Sequence, residues 1–252
     1  MIHSLRLDGT VVHEWAAPGL DHAFDDIDDD TVLYTAQESN DDLLYSVSPA
    51  GRSEPLWACA AWLKTTDLDS GGGWGGATCG CNSVAWDEPS DSYVMSLWSQ
   101  EAVLQIDAAT GDTVWYAGKD GGGYAIDPDA IWGWEHEANL LPNGHLLLSS
   151  GVGNSGGHNN YDATAAYEYE IHPDTQSLEL VWSYVAEDSW QARYKGGAHR
   201  LAGGNTVQYY GSHPGVKEIA PDGTVVWQME FDDSSWIGRS TWLDDLYAFV
   251  GG

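Results

Sequence analysis

Positive charge is nearly missing from this chain: nine lysines and arginines stand against 39 aspartates and glutamates, for a formal net charge of −30. A field of that sign repels phosphate and excludes nucleic acid as a partner. Long apolar runs are also missing. None approaches the ~20 residues of a membrane-spanning helix, so no membrane insertion is expected. The N-terminal "MIHSLRLDGTVV" lacks a basic stretch followed by an apolar core, so no signal peptide is visible. The three cysteines, Cys59, Cys79 and Cys81, allow one disulfide and leave one thiol. C-x-C is too tight to bridge itself, which pairs Cys59 with Cys79 or Cys81. No second Cys/His pair follows at zinc-ligand spacing, so no metal centre is expected. Phenylalanine and methionine number three each, and the aromatic content rests on 14 tryptophans and 13 tyrosines. Set among 30 glycines, these favour short strands and tight turns over long helices.

The acidic residues are scattered through turns such as "DHAFDDIDDDT" and do not form one tail. With 42% hydrophobic residues, that favours a folded protein with a heavily hydrated, halophile-like surface over a disordered one. "DDIDDD" lacks the glycine and distal glutamate of an EF-hand, so Ca²⁺ is only a weak candidate and no cofactor is expected. Phosphate-loop and nucleophile-elbow motifs are absent as well.

Two units recur. One is a turn, a β-branched run and a tryptophan: "LDGTVVHEW" (7–15), "SPAGRSEPLW" (48–57), "DAATGDTVW" (107–115), "HPDTQSLELVW" (172–182) and "APDGTVVW" (220–227). The other is an apolar hairpin: 24–36, 82–97, 138–150 and 199–211, with a fifth at the C-terminus, "RSTWLDDLYAFVGG" (239–252). Repeats of ~40–50 residues, each worth four strands, are the mark of a β-propeller. The expectation is an all-β chain, one domain over 1–252, with five four-stranded blades. The hairpins lie innermost, the tryptophan strands lie outermost, and Trp15, Trp57, Trp115, Trp182 and Trp227 anchor the packing between blades. Strands from 239–252 pair with those from 1–15 to close the ring and remove exposed edges. Six blades is the alternative, if residues 58–81 hide a degenerate one.

Aligning the hairpins on their turns gives a register. His136 lies five residues before Leu141, and His22 five before Ile27; Cys81 and Gly196 hold that place in two other hairpins, and His199 sits further in. Inner strands line the axial tunnel, so His22, His136 and His199 are expected near one end of it. Strand-start histidines bonded only to neighbouring loops are the alternative. "QARYKGGAHRL" adds Arg193, Lys195 and Arg200, with Arg239 as a further contributor; these could hold an anionic group against the general repulsion or pair with surface carboxylates. His145, in the "LPNG" hairpin, is expected to be solvated.

Read in order, "CNSVAWDEPSDSYVMSL…VLQIDAATGDTVW", "EHEANLLPNGHLLLSSG", "YEYEIHPDTQSLELVWSY", "GGAHRLAGGNTVQYYG" and "KEIAPDGTVVWQMEF" resemble the arylsulfotransferase family of PQQ-like, quinoprotein-type propellers, over roughly residues 80–245. The resemblance implies sulfuryl transfer between phenols without a nucleotide donor, through a transiently sulfated histidine supported by further His and Arg side chains. His136 matches the histidine before the LPNG strand, His199 more loosely. The expected partner is a small phenolic or anionic molecule, the expected setting periplasmic or extracellular, and the expected state a monomer. Two family positions differ: Gly80 stands where a histidine usually lies two before the Asn, and "DATAAYEYEI" lacks the usual arginine. The alternative is therefore a non-catalytic secreted or surface propeller that serves as a binding or structural module.

Overall fold

The structure, a computed structural model, describes residues 1–6, 8–68, 79–119, 121–153, 161–187, 190–231 and 236–240. Strands dominate. β1 (Ile2–Leu5) and β2 (Val11–Trp15) form an antiparallel pair with Ile2 opposite Trp15. A first sheet runs β3 (Leu20–Asp26), β4 (Val32–Glu38) and β5 (Asp41–Ser48), and two short strands, β6 (Gly51–Arg52) and β7 (Trp57–Ala58), both pair with β5. The helix α1 (Cys59–Leu63) follows. The second sheet is a meander of β8 (Cys81–Asp87), β9 (Ser92–Leu97), β10 (Ala102–Asp107) and β11 (Thr113–Gly118).

In the third sheet the order is β12 (Ala125–Ile126), β16 (Ser177–Val185), β15 (Ala163–His172), β14 (Leu146–Val152) and β13 (Gly133–Leu140). The fourth is a meander of β17 (Gly197–Arg200), β18 (Thr206–Tyr209), β19 (Gly215–Ile219) and β20 (Val225–Glu230). Four hairpins thus stand where the repeats put them, with β3, β8, β13 and β17 leading their sheets. Two features depart from the expected pattern: the outer strand of the first sheet is broken into β6 and β7, and β12 runs parallel to β16 and lies outside the tryptophan strand.

Each sheet packs on the next in chain order, as in a propeller. Ile2 and Trp15 lie against Val32, Tyr34 and Val47. Leu33 and Leu44 meet Val84, Met95 and Leu104; Val94 and Val103 meet Leu146, Leu148 and Tyr167; Leu147 and Ala166 meet Ala198. Middle strands such as β9 are buried at every position, because a neighbouring sheet covers each face. Outer strands alternate, as β16 does. Trp15, Trp57 and Trp115 are buried as expected, but Trp182 is half-buried and Trp227 exposed.

The described part of 58–81 holds α1 and a disulfide, Cys59–Cys79, which resolves the pairing; Cys81 is a buried thiol. Asp42 accepts the N–H groups of Cys79 (2.7 Å) and Gly80 (2.9 Å), seating this loop. The closing segment 241–252, His158 and insert residues 69–78 lie outside the described residues.

Candidate active site

A regular strand sends successive side chains to opposite faces. β13 does not. Its register against β14 shifts between Gly133 and His136, and again between His136 and Asn139. Trp134 (φ 55°) and Glu137 (φ 51°) sit in the left-handed region, which costs ~1–3 kcal/mol per non-glycine residue. The two bulges re-aim the side chains. As a result His136 and Glu137, adjacent in sequence, line one cavity of about 760 Å³ at the leading ends of β3, β8 and β13.

The cavity wall is aromatic. Trp134 is the hub, with ring centres 5.5 Å from Trp98 and 6.3 Å from Tyr194. Tyr194 stacks on Trp236 at 5.8 Å, and the Lys195 ammonium lies 5.6 Å from the Trp236 ring. Such walls accept a flat apolar ring and tolerate a cation at its edge.

His136 is half-buried, and both of its nitrogens are assigned by their neighbours. Nδ1 faces the Trp134 carbonyl at 2.9 Å and must carry the proton, while Nε2 accepts the Lys195 N–H at 3.2 Å. Burial pushes its pKa down to about 4, so the imidazole is neutral at pH 7 with its Nε2 lone pair held by one long bond. His22 differs. It is exposed, its Nδ1 lies 2.8 Å from Asp21, and that hydrogen bond raises its pKa.

Deeper, Glu137 is buried, and its Oε1 lies 3.4 Å from His199 Nε2 and 3.8 Å from Arg239 Nε. His199 Nε2 also faces the Ser240 carbonyl at 3.0 Å. Burial opposes charge on His199, but the Glu137 hydrogen bond and charge outweigh it and raise the pKa. The Arg239 guanidinium donates to the carbonyls of Phe24 and Val84 and lies 3.8 Å from Asp25. One arginine thereby ties the leading strands of three sheets together.

The structure therefore brings His22, His136, Lys195 and Arg239 to one cavity, with His199 joined to it through Glu137. It does not bring Arg193 or Arg200. Arg193 is exposed, with its N–H on Ser212 Oγ. Arg200 leaves the far end of β17 to bond Glu168 (2.6 Å) and Thr206 (2.9 Å), because that carboxylate is buried and needs a cation. His145 also pairs with Glu168, at 2.8 Å, and is not solvated. These contacts outweigh burial and hold the Glu168 carboxyl below its ordinary range. Arg239, expected to hold substrate, instead meets two backbone carbonyls and the carboxylates of Asp25 and Glu137.

Sequence reasoning missed Glu137 and the aromatic wall. The flanking glutamates of "WEHE" and the tryptophan-rich inserts were the available signals. In "DDIDDD", Asp28 accepts the Asp30 N–H and Asp25 the Trp86 N–H. No group of three or more His, Cys, Asp or Glu side chains is placed to hold a metal among the described residues. No helix there is long and apolar enough to cross a membrane.

The sequence profile of the Arylsulfotransferase (ASST) family matches residues 78–232. No curated protein matches the chain. Among solved structures, a protein from Lactobacillus plantarum is similar at TM-score 0.56 and 11% identity, covering 90% of this chain and 61% of its own length. A putative 6-phosphogluconolactonase from Bacteroides uniformis is similar at TM-score 0.52 and 12% identity, covering 91% of this chain and 64% of its own. These likenesses concern the fold, which is all-β and propeller-like; the chain spans less than two thirds of either protein.

Proposed function

Because the chain belongs to the arylsulfotransferase family, we propose that its cavity moves a sulfuryl group from a phenolic sulfate to another phenol by way of His136. The observation that carries this reading is the state of that imidazole. Its Nδ1 proton is committed to the Trp134 carbonyl, its ring is neutral, and its Nε2 lone pair, beside the aromatic-walled cavity, is held only by the backbone N–H of Lys195 at 3.2 Å, a bond that must open before Nε2 attacks. A neutral imidazole is the nucleophile that such a step needs. Nε2 attacks sulfur as the S–O bond breaks and the phenolate leaves; a second phenol then bonds to sulfur as the S–N bond breaks, the electron pair returns to Nε2, and the acceptor's hydroxyl proton passes through solvent to the released phenolate. Aromatic walls suit the phenol rings, and Lys195, at the edge, offsets the charge of the sulfate. The test is phenol-dependent release of nitrophenol from p-nitrophenyl sulfate. Wild type should turn over and His136→Ala should not; a wild type that releases nothing at any salt concentration overturns the reading.

The same proposal covers the rest of the chain. Residues 1–252 form one five-bladed domain, closed by strands from 239–252 beside β1 and β2. Exposed apolar residues on β2 (Val11, Val12) and β20 (Val226, Trp227) support a further partner there. The Cys59–Cys79 disulfide supports a periplasmic or extracellular setting, and a monomer binding a small phenolic molecule fits the cavity. One observation favours the non-catalytic reading: a Cβ on Gly80 would lie 2.4 Å from Trp98 Nε1, so an indole fills the place of a family histidine. The same assay separates binding from turnover.

A further inference from the structure

Glu135 is a carboxyl for which the proposed reaction has no use. Trp134 and His136, on either side of it, both line the cavity, whereas Glu135 does not and is 0% exposed. Neither of its oxygens has a close hydrogen-bond partner among the described residues; the donors that face it are the backbone N–H groups of Leu97 and of Glu135 itself. Two charged groups face it. One is Glu101, in the turn into β10, and the other is Lys119, just past β11. Lys119 is already taken, because both Glu101 oxygens hold its ammonium, at 2.9 and 2.8 Å, and the Tyr161 hydroxyl donates to the same carboxylate. From β8 comes only the Asn82 amide, which donates to the Glu135 carbonyl at 2.8 Å. A charge in such a place is far costlier than a neutral carboxyl. Burial accordingly moves the Glu135 pKa well above the ordinary 4.5, and Glu101 adds to the rise.

The surroundings give that proton a consequence. Leu97 ends β9 and leads into Trp98, whose ring packs on Trp134 with centres 5.5 Å apart. Trp134 in turn offers His136 the carbonyl that holds its Nδ1 proton. Glu135 thus stands behind the part of the wall made by Trp98, Trp134 and His136. It also lies inside the first bulge of β13, where the ladder to β14 does not pin the backbone, and next to Trp134 with its φ of 55°. A carboxylate there gains by moving towards water, and a bulged, strained strand yields to it most easily. We infer that Glu135 is a positioning residue and a pH-sensitive switch: the cavity wall is assembled while its carboxyl keeps the proton and comes apart when the proton leaves to solvent. Only the turnover part of this inference rests on the sulfuryl-transfer reading. The sign follows from linkage. A carboxyl whose pKa rises on folding stabilises fully below pH 4.5, and its contribution is lost as pH climbs through the folded value.

The test follows wild type and Glu135→Gln from about pH 5 to about pH 10, a span that covers the values documented for buried glutamates. Three quantities are read: the infrared stretch of protonated carboxyls, binding of p-nitrophenyl sulfate in a His136→Ala background that cannot turn it over, and kcat/KM for that donor with phenol as acceptor. The last reports the donor half-reaction alone in a two-step transfer. At neutral pH, wild type should show a protonated-carboxyl band that Glu135→Gln lacks. Above the midpoint of that band, binding and kcat/KM should fall together, about 10-fold per pH unit as loss of one proton requires, and Glu135→Gln should show no such fall. If Glu135→Gln does not fold, the wild-type readings decide: no band at neutral pH, or a band that titrates while binding holds, overturns the inference. An equal fall in Glu135→Gln does the same. Donor binding with this pH dependence but no release of nitrophenol overturns the family reaction and leaves the switch standing; binding at no pH overturns both.

Discussion

His136 and His199 lie within the inner strands of adjacent sheets, and their surroundings differ in almost every respect. His136 meets two backbone groups and, among the described residues, no carboxylate within ion-pair distance, and burial keeps it neutral. His199 meets a buried carboxylate and a carbonyl and is pushed towards its charged form. The strands differ too: β13 is bulged twice, while β17 pairs residue for residue with β18. The same side chain therefore supplies a lone pair in one sheet and a positive charge in the next. In the proposed reaction only the first can serve as the nucleophile. The second holds the Glu137 carboxylate in place.

The sharpest way to break this contrast is His136→Ala, which should lower turnover on the order of 10³-fold or more and remove any covalent adduct seen by intact-mass analysis after a quench. His199→Gln should cost less than about 10-fold in kcat, as expected of a group that meets only the Glu137 carboxylate and the Ser240 carbonyl; a loss as large as that of His136→Ala would move His199 into the reaction.

The pH dependence of unfolding should separate the two by sign. His136 falls from 6.5 to about 4 on folding, so its contribution is present above pH 6.5 and is lost as pH drops towards 4. His199 is raised above 6.5, so its contribution is present below 6.5 and is lost as pH climbs through the folded value. In thermal melts across pH, His136→Asn should flatten the acid limb and His199→Gln the neutral-to-alkaline one. Arg200→Ala should leave turnover intact but cost about 1–3 kcal/mol in denaturant unfolding, since it strips a cation from buried Glu168. The smallest effect belongs to Lys195→Ala. Its exposed charge should alter donor KM a few-fold at low salt and hardly at all at high salt.

Much of the fold was legible because each repeat carries its own turn and tryptophan, and four hairpins begin four sheets as the pattern requires. The histidine register was legible for the same reason, and put His22 and His136 on one cavity. Glu137 was not, because period-two alternation turns it away from the face His136 occupies; only the bulges, invisible in composition, bring both round. The basic cluster misled through distance. A strand advances ~3.3 Å per residue, so the five steps from Lys195 to Arg200 span ~16 Å and end at another carboxylate. Gly80 and Trp98 show a substitution whose reason lies in packing: the indole fills the space that a side chain at 80 would need.

The tryptophans of the recurring ending carry one more consequence. The Trp15 indole donates to the Asp30 carbonyl and the Trp182 indole to the Pro221 carbonyl, in each case from an outer strand to a turn of the sheet that follows in the chain. Not every boundary is latched: Trp115 donates to Gln105 of its own sheet, and Trp57 Nε1 has no hydrogen-bond partner among the described residues. Loosening the outer strand of a latched sheet frees an indole donor and also a carbonyl in its neighbour, so the two sheets lose stability together. Stability then behaves as a chain of nearest-neighbour terms, with latched boundaries stronger than unlatched ones.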